Sequence, residues 1–390
     1  MPNEQQISEI IIDQAKQIQN KQPGVPRDVD YKYLVENPFI TVITGIRRCG
    51  KSTLMLQMTR YFDDFYYANF DDERFFDFTV NDFQTLMIIF KKKVHSKNIF
   101  LDEIQNITGW ERFVRRIYDE GYKVFITGSN SKLLSSELAS HLTGRYIKIE
   151  LFPFSFNEYL KFKKIDTTAL GSDNKSRILA SFDTYLTEGG FPEYMIYSDG
   201  QQLQNIYEDI IYKDLITRFG IKNSKALKQL AHYYYTNFTK EVSYNSLKTI
   251  LSINSVATIK DYTEYLEQAY MLFECYKFDY SLKKQYTYSK KVYAIDNGLR
   301  NRISFRFNTD SGQLLENLVY IHLRKQYKQL FFYKTAQNHE VDFCIQTDTI
   351  KLYQVCFILD DFKTREREIR SLLSAMDELN TNEATILTYN

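Results

Sequence analysis

Thr41-Val-Ile-Thr-Gly45-Ile-Arg-Arg-Cys-Gly50-Lys51-Ser52-Thr53-Leu-Met-Leu-Gln57 is an apolar run that breaks into a glycine-bearing turn and resumes with helical spacing. The spacing Gly45-x-x-x-x-Gly50-Lys51-Ser52 is the Walker A pattern. In such a loop successive backbone N–H groups curl round phosphate oxygens, the lysine reaches the β- and γ-phosphates, and the serine hydroxyl ligates Mg2+. Gly45, Ile46, Arg47, Arg48, Cys49, Gly50, Lys51, Ser52 and Thr53 are therefore the expected phosphate-binding residues, and ATP with Mg2+ the expected ligands. A helix starting at Lys51 would add its N-terminal partial positive charge. The bland alternative is a chance glycine-rich turn. The strand-like run from Phe39 to Thr44 before it and the helical pattern after it favour the phosphate loop.

Outward from this loop, strands 39–44, 65–70, 98–102, 123–128 and 146–151 alternate with helices 51–61, 81–95, 110–120 and 131–140. Strands interleaved with helices in this way need right-handed crossovers, which predicts an α/β fold with a parallel sheet covered on both faces. Asn98-Ile-Phe-Leu-Asp102-Glu103 is the second anchor. An apolar strand ending in Asp102 places that carboxylate near Mg2+, as a Walker B aspartate does. Glu103, immediately after it, is placed to polarise a water for attack on the γ-phosphate. An Asp-Glu pair at a strand end is ordinarily solvated surface. Behind a Walker A loop in the same βαβ pattern, the functional reading takes precedence.

Lys123-Val-Phe-Ile-Thr127-Gly128-Ser129-Asn130 ends in small polar residues. Asn130 is a candidate for binding the γ-phosphate or the attacking water; a helix cap for the next segment is the equal alternative, because caps and anion sites use the same N–H groups. Asp71-Asp72-Glu73-Arg74 reads as a structural ion cluster at the sheet edge where ligands bind in α/β folds. Arg145, just before strand 146–151, offers a guanidinium for charge developing on the phosphate, in its own subunit or across an interface; a surface arginine is the alternative.

A chain of 390 residues predicts two or three domains. Its formal charge of +1 provides no global attraction to nucleic acid or anionic membrane. Cys49, Cys275, Cys344 and Cys356 stand far apart with no C-x-x-C pair, arguing against a disulfide framework or a zinc site and for a reducing cytoplasm. The N-terminus lacks a basic-then-apolar signal, and no uninterrupted apolar run is long enough to span a bilayer. The many Tyr and Phe residues are expected in the cores and half-buried surfaces.

The motifs Gly-Ile-Arg-Arg-Cys-Gly-Lys-Ser, Ala68-Asn-Phe-Asp-Asp-Glu-Arg74, Phe100-Leu-Asp-Glu-Ile-Gln105, Ile126-Thr-Gly-Ser-Asn-Ser131 and His141-Leu-Thr-Gly-Arg145 resemble the AAA-type ATPases of bacteria and archaea that carry a C-terminal domain of unknown function. The likeness continues through Leu151-Phe-Pro-Phe-Ser-Phe156, Glu188-Gly-Gly-Phe-Pro-Glu193 and Ala294-Ile-Asp-Asn-Gly298. It implies an ASCE-class P-loop sheet, with the strand ending at Thr127 between the Walker B strand and the P-loop strand. A helical lid and a winged helix would follow, then a restriction-endonuclease-like domain. The expected division is 1–30 N-terminal helix and linker, 31–160 ATPase, 161–224 lid, 225–300 winged helix and 301–390 nuclease-like domain.

Residues outside the sheet domain agree in part with that outline. Ile7, Ile10, Ile11 and Ile18 predict a leading helix over 4–20, and the polar stretch 165–175 reads as a linker. Gly189-Gly190-Phe191-Pro192 must be a tight turn. A helix is expected over 202–218; a helix from Val256 to Ala269 and strands 271–278 and 285–289 follow in winged-helix order. The would-be recognition helix sets Lys260 against Asp261, Glu264 and Glu267, a sign unsuited to a phosphate-lined groove and better suited to protein packing.

From Gly312 a further α/β unit is expected, with helices 313–327 and 363–379 and strands 330–334, 340–346, 351–357 and 384–389. Glu316, Asp342, Gln354 and Cys356 resemble the PD-(D/E)xK nuclease arrangement, with Cys356 where the lysine belongs. A buried thiol has no fixed positive charge with which to activate water, and Gln354 is neutral. Nine Lys/Arg against eleven Asp/Glu over 311–390, a net of −2, add nothing for a DNA backbone. A degenerate nuclease fold is the expectation.

The sequence thus predicts an ATP-binding, ATP-hydrolysing switch or motor with a protein partner. The alternatives are a DNA-processing ATPase using the winged helix and nuclease-like domain, and a non-hydrolysing nucleotide-gated adaptor. Oligomeric state is left open by these motifs.

Overall fold

Strand β1 (Ile40–Gly45), which leads into the P-loop, is buried along its whole length in the computed structural model. The structure describes residues 3–128, 142–168, 171–253, 255–304 and 311–389. Asn130 and the helix expected at 131–140 lie outside the described residues. The chain forms two compact units that divide between Asp166 and Thr167, inside the polar stretch read as a linker.

In the first unit β1 joins β2 (Tyr66–Asn69), β3 (Asn98–Asp102), β4 (Lys123–Gly128) and β5 (Tyr146–Leu151) in a parallel sheet ordered β2-β3-β4-β1-β5. The strand ending near Thr127 does stand between the Walker B strand and the P-loop strand. Helices α1 (Glu4–Asn20), α2 (Tyr31–Glu36), α3 (Lys51–Thr59), α4 (Phe83–Lys93) and α5 (Trp110–Asp119) accompany it. Asn3 and Gln6 start α1 with a reciprocal capping box. Ile7, Ile10 and Ile11 of α1 enter the same core as Leu86, Phe90 and Val114. The leading helix therefore packs on the sheet domain that follows it, because an isoleucine stripe at helical spacing must be covered. Stacked aromatics fill that core, Phe83 on Phe113 at 4.0 Å among them.

The second unit begins with helices Ser172–Glu188, Pro192–Tyr197 and Gly200–Asp209, the last continuing as a π-helical stretch over Ile210–Thr217. Helices Ser224–Thr236, Tyr244–Ile250 and Val256–Gln268 follow. Strands β6 (Glu241–Val242), β7 (Leu272–Lys277), β8 (Lys290–Ala294), β9 (Leu330–Lys334), β10 (Glu340–Gln346), β11 (Ile350–Cys356) and β12 (Glu383–Thr388) form one sheet ordered β12-β11-β10-β9-β7-β8-β6. The boundary expected at residue 300 cuts a sheet that is continuous, since β7 pairs in parallel with β9. The strand expected at 285–289 is also displaced. Residues Leu282–Thr287 are helical, and the partner of β7 is the buried run Lys290–Ala294. Alternating tyrosines at 286 and 288 imitate a strand period, but burial selects the segment that pairs.

Two of the quoted motifs meet at one joint. Gly189 ends its helix at φ +74°, and the carboxylate of Asp296 accepts the amides of Gly190 at 2.7 Å and Leu299 at 2.9 Å. Burial pushes the Asp296 carboxyl up to about 6, with the amides of Gly190, Leu299 and Gly298 opposing it. The folded chain thus holds this proton more tightly than the unfolded chain. Its contribution to stability is present below about pH 4, falls as pH rises towards about 6 and is flat above. Urea midpoints measured from pH 4 to pH 7 should show a downward slope, worth at most about 3 kcal/mol, that Asp296→Asn removes. An unchanged slope in the variant rules this carboxyl out as its source.

Candidate active site

Parallel strands put all their C-terminal ends on one edge. The pairing aligns Asn69 with Asp102, Leu101 with Ile126, Ile43 with Thr127 and Gly45 with Leu151 there. The P-loop leaves from this edge. Gly45 sits at φ +150°, and a Cβ on it would lie 2.1 Å from the Leu151 carbonyl oxygen, so only glycine lets β5 press this close. Gly50, at φ +100°, starts α3 with no side-chain cap, which leaves the first helical N–H groups for an anion.

Lys51 is 5% exposed, and its ammonium donates to the carbonyls of Gly45 and Ile46, both at 3.2 Å. It lies 4.0 Å from Glu103 Oε1. Asp102 is buried at the tip of β3. Thr127 donates its hydroxyl to Asp102 Oδ1 and accepts the Glu103 amide at 2.9 Å, while Tyr67 donates to Asp102 Oδ2 at 3.3 Å. Burial and then the neighbouring Glu103 push the Asp102 carboxyl up, opposed by hydrogen bonds from Thr127 and Ser52 and by the charge of Lys51. A cation beside it would reverse that balance. Ser52 and Asp102 line one cavity, and both are hard oxygen donors of the kind Mg2+ takes.

Glu103 adopts φ +50°, a conformation that costs a non-glycine residue about 1 kcal/mol and that clusters at working sites. Gln105 donates to its Oε2 and fixes the carboxylate. Around the same edge, Asp71 is pushed up by burial and by Glu103, against the charges of Arg47 and Arg48. Arg74 pairs with Asp72 and Asp13, each at 2.8 Å, and Gln14 of α1 bonds both Asn69 and Asp72, so Asp72 and Arg74 form a structural ion cluster, while Asp71 faces Glu103. Burial pushes the Cys49 thiol up, opposed by Lys51 and Arg27, which leaves it a packing residue within the loop.

Arg145 does not join this group. It precedes Tyr146, which pairs with Ile40 at the start of β1, and its guanidinium lies 3.6 Å from Asp119. The full strand separates it from Gly45, about 17 Å at the usual rise per residue. A guanidinium at the N-terminal edge of a parallel sheet cannot serve a loop at the C-terminal edge of the same subunit.

Several contributors were missed. Arg27 is buried beneath the P-loop, donating to the carbonyls of Cys49 at 2.8 Å and Phe152 at 2.7 Å and pairing with Glu158 at 2.7 Å. Gln57 of α3 ties the preceding segment down through Pro23 and Val25, both at 2.7 Å. Breaking a buried pair of this kind costs about 3–5 kcal/mol, so this segment is a rigid buttress for the loop. The capping box Ser155-x-x-Glu158 was the one local hint, and it marks Glu158 as a helix start without naming its distant partner. Tyr67 carried no hint at all.

In the second unit Glu316 and Asp342 come together, joined by Glu340 and Lys291. Gln354 takes the Asp342 amide at 3.2 Å and donates to Glu368 at 2.8 Å. Cys356 donates its thiol to the Ile358 carbonyl.

Residues 37–160 match the AAA domain, 179–310 a domain of unknown function (DUF8612) and 311–389 another (DUF4143). The chain is 37% identical to the uncharacterized protein MJ1544 of Methanocaldococcus jannaschii over 98% of this chain and 88% of that one. It is 29% identical to an uncharacterized protein of Haemophilus influenzae over 83% of each. AMPPCP-bound DnaA from Aquifex aeolicus aligns with 60% of this chain and 85% of its own at 14% identity and a TM-score of 0.27, a likeness too slight to add to the geometry.

Proposed function

This chain belongs to the same family as MJ1544, and from that membership and the AAA domain at 37–160 we propose that it is an ATP-binding, ATP-hydrolysing switch or motor. The observation that carries the reading is the convergence of one ammonium, one hydroxyl and two carboxylates at a single sheet edge, in Lys51, Ser52, Asp102 and Glu103. The P-loop amides and Lys51 bind the phosphates. Ser52 and Asp102 would hold Mg2+, which when bound neutralises charge on the terminal phosphates. Thr127 and Tyr67 keep Asp102 aimed at that position, and Gln105 aims Glu103. Glu103 orients a water and takes its proton as it attacks the γ-phosphate.

The nucleotide state then repositions residues 167–390 for a partner. A protein partner fits better than DNA, because the exposed Asp261 and Glu264 outweigh Lys260 on helix Val256–Gln268, a sign that phosphates repel, while Glu267 turns inward to accept the Glu274 amide and burial pushes its carboxyl up to about 8. All four cysteines are free and buried, which suits a reducing compartment such as the cytoplasm. No helix among the described residues is long and apolar enough to cross a membrane.

Phosphate release from Mg-ATP by the full chain, with and without duplex DNA over a range of salt, tests the reading. We expect Mg2+-dependent turnover that DNA leaves unchanged. Nucleotide binding without turnover would favour a nucleotide-gated adaptor, and stimulation by DNA that fades with salt would favour a DNA-processing ATPase.

A further inference from the structure

Lys291 is 2% exposed, and it is the ammonium at the centre of the carboxylate cluster in the second unit. Its Nζ lies 2.9 Å from Glu316, 2.7 Å from Glu340 and 3.2 Å from Asp342. An ammonium has three N–H donors, and three carboxylates take them. The remaining contacts close the group. Tyr293 donates to the same Glu316 oxygen at 2.8 Å, the second Asp342 oxygen accepts the Val355 amide at 2.9 Å, and Lys334 meets Glu340 at 3.4 Å. Gln354, the neutral residue at a metal-ligand position of the nuclease-like pattern, is engaged at both ends of its amide. Lys291 comes from β8, whereas the acids come from helix Ser311–Gln326 and from β10.

We propose that Lys291 is the resident cation of this centre: its ammonium fills the space that a divalent metal would take among Glu316, Glu340 and Asp342. The second unit is then closed to Mg2+ and Mn2+ and does not hydrolyse phosphodiesters. The carboxylates of Glu316 and Asp342, 14% and 9% exposed, repel one another and need a positive charge between them, with the more open Glu340 beside them. A fixed internal ammonium supplies it at any metal concentration, whereas a bound ion would make folding depend on supply. This inference does not rest on ATP hydrolysis by the first unit, and the P-loop cation ligand can be removed from its test.

The experiment is a Mn2+ titration, followed by electron paramagnetic resonance, of the nucleotide-free full chain carrying Asp102→Asn. With Lys291 present we expect no Mn2+ binding that depends on Asp342. Adding Lys291→Met should lower the melting temperature and create one Mn2+ site, at least tenfold tighter, that restores the temperature in part and disappears when Asp342→Asn is added. A Lys291→Met chain that folds yet gains no Mn2+ overturns the proposal. So does Mn2+ bound by the Lys291 protein and lost with Asp342→Asn, or Mn2+-dependent nicking of supercoiled DNA lost in the same variant. Should Lys291→Met fail to fold, the comparison of the Lys291 protein with Asp342→Asn decides alone, and absence of Mn2+ binding there supports the proposal.

Discussion

Lys51→Ala should weaken Mg-ATP binding by at least a hundredfold, read by calorimetry on the full chain. The ammonium sits over the loop on the Gly45 and Ile46 carbonyls, from which it can reach phosphate oxygens without a change in the backbone. Two charge-assisted hydrogen bonds to a polyanion are worth about 1.5–3 kcal/mol each, so losing both costs about 3–6 kcal/mol. The same substitution strips two loop carbonyls of their donor, and a fall in stability of about 1–3 kcal/mol should accompany the lost affinity. The buttress from Arg27 and Gln57 is untouched, so the fold should persist. Equal affinity in the variant and the parent chain would remove the basis of the nucleotide site.

Glu103→Gln should separate binding from chemistry. Glutamine keeps the size of the side chain but cannot take a proton from water. Positioned general bases contribute about 10^2 to 10^4 in rate, and single-turnover hydrolysis should fall within that range. ATP affinity should hold or improve, because a negative charge 4.0 Å from Lys51 is removed from beside the phosphates. Turnover within twofold of the parent, with binding intact, would move the base elsewhere along the edge, with Asp71 next in line.

Much of the first unit was legible because its determinants are local or periodic. The P-loop strand, the strand ending in Asp102 and the following Glu103 lie where the pattern places them, since alternating strands and helices leave few ways to build a covered parallel sheet. Arg145 shows the limit of such reading. Proximity in sequence to a strand says nothing about which end of the sheet a side chain faces; here β5 runs parallel to β1, so a residue before it is remote from the loop after β1. Arg27 and Glu158 lie 131 positions apart, and nothing in either neighbourhood names the other. The strand expected at 285–289 was misplaced for a related reason. Tyrosine alternation is a local signal, whereas the choice of Lys290–Ala294 was made by what could be buried against β7.

The amino-acid order alone determined the chemistry of the loop: a glycine at each turn, a lysine, a serine and two acids after an apolar strand, each needed for a reason that holds within a few residues. Tertiary structure decided what surrounds that chemistry and how the second unit is charged. It put Tyr67 and Thr127 on Asp102, buried Arg27 under Cys49, and brought Lys291 from β8 into acids 25 to 51 positions away. Residue 356 brings a thiol and no charge to the second unit. The cation between Glu316 and Asp342 comes instead from a strand that joins the same sheet, because buried carboxylates require one and pairing between strands, rather than spacing along the chain, determines which side chain can provide it.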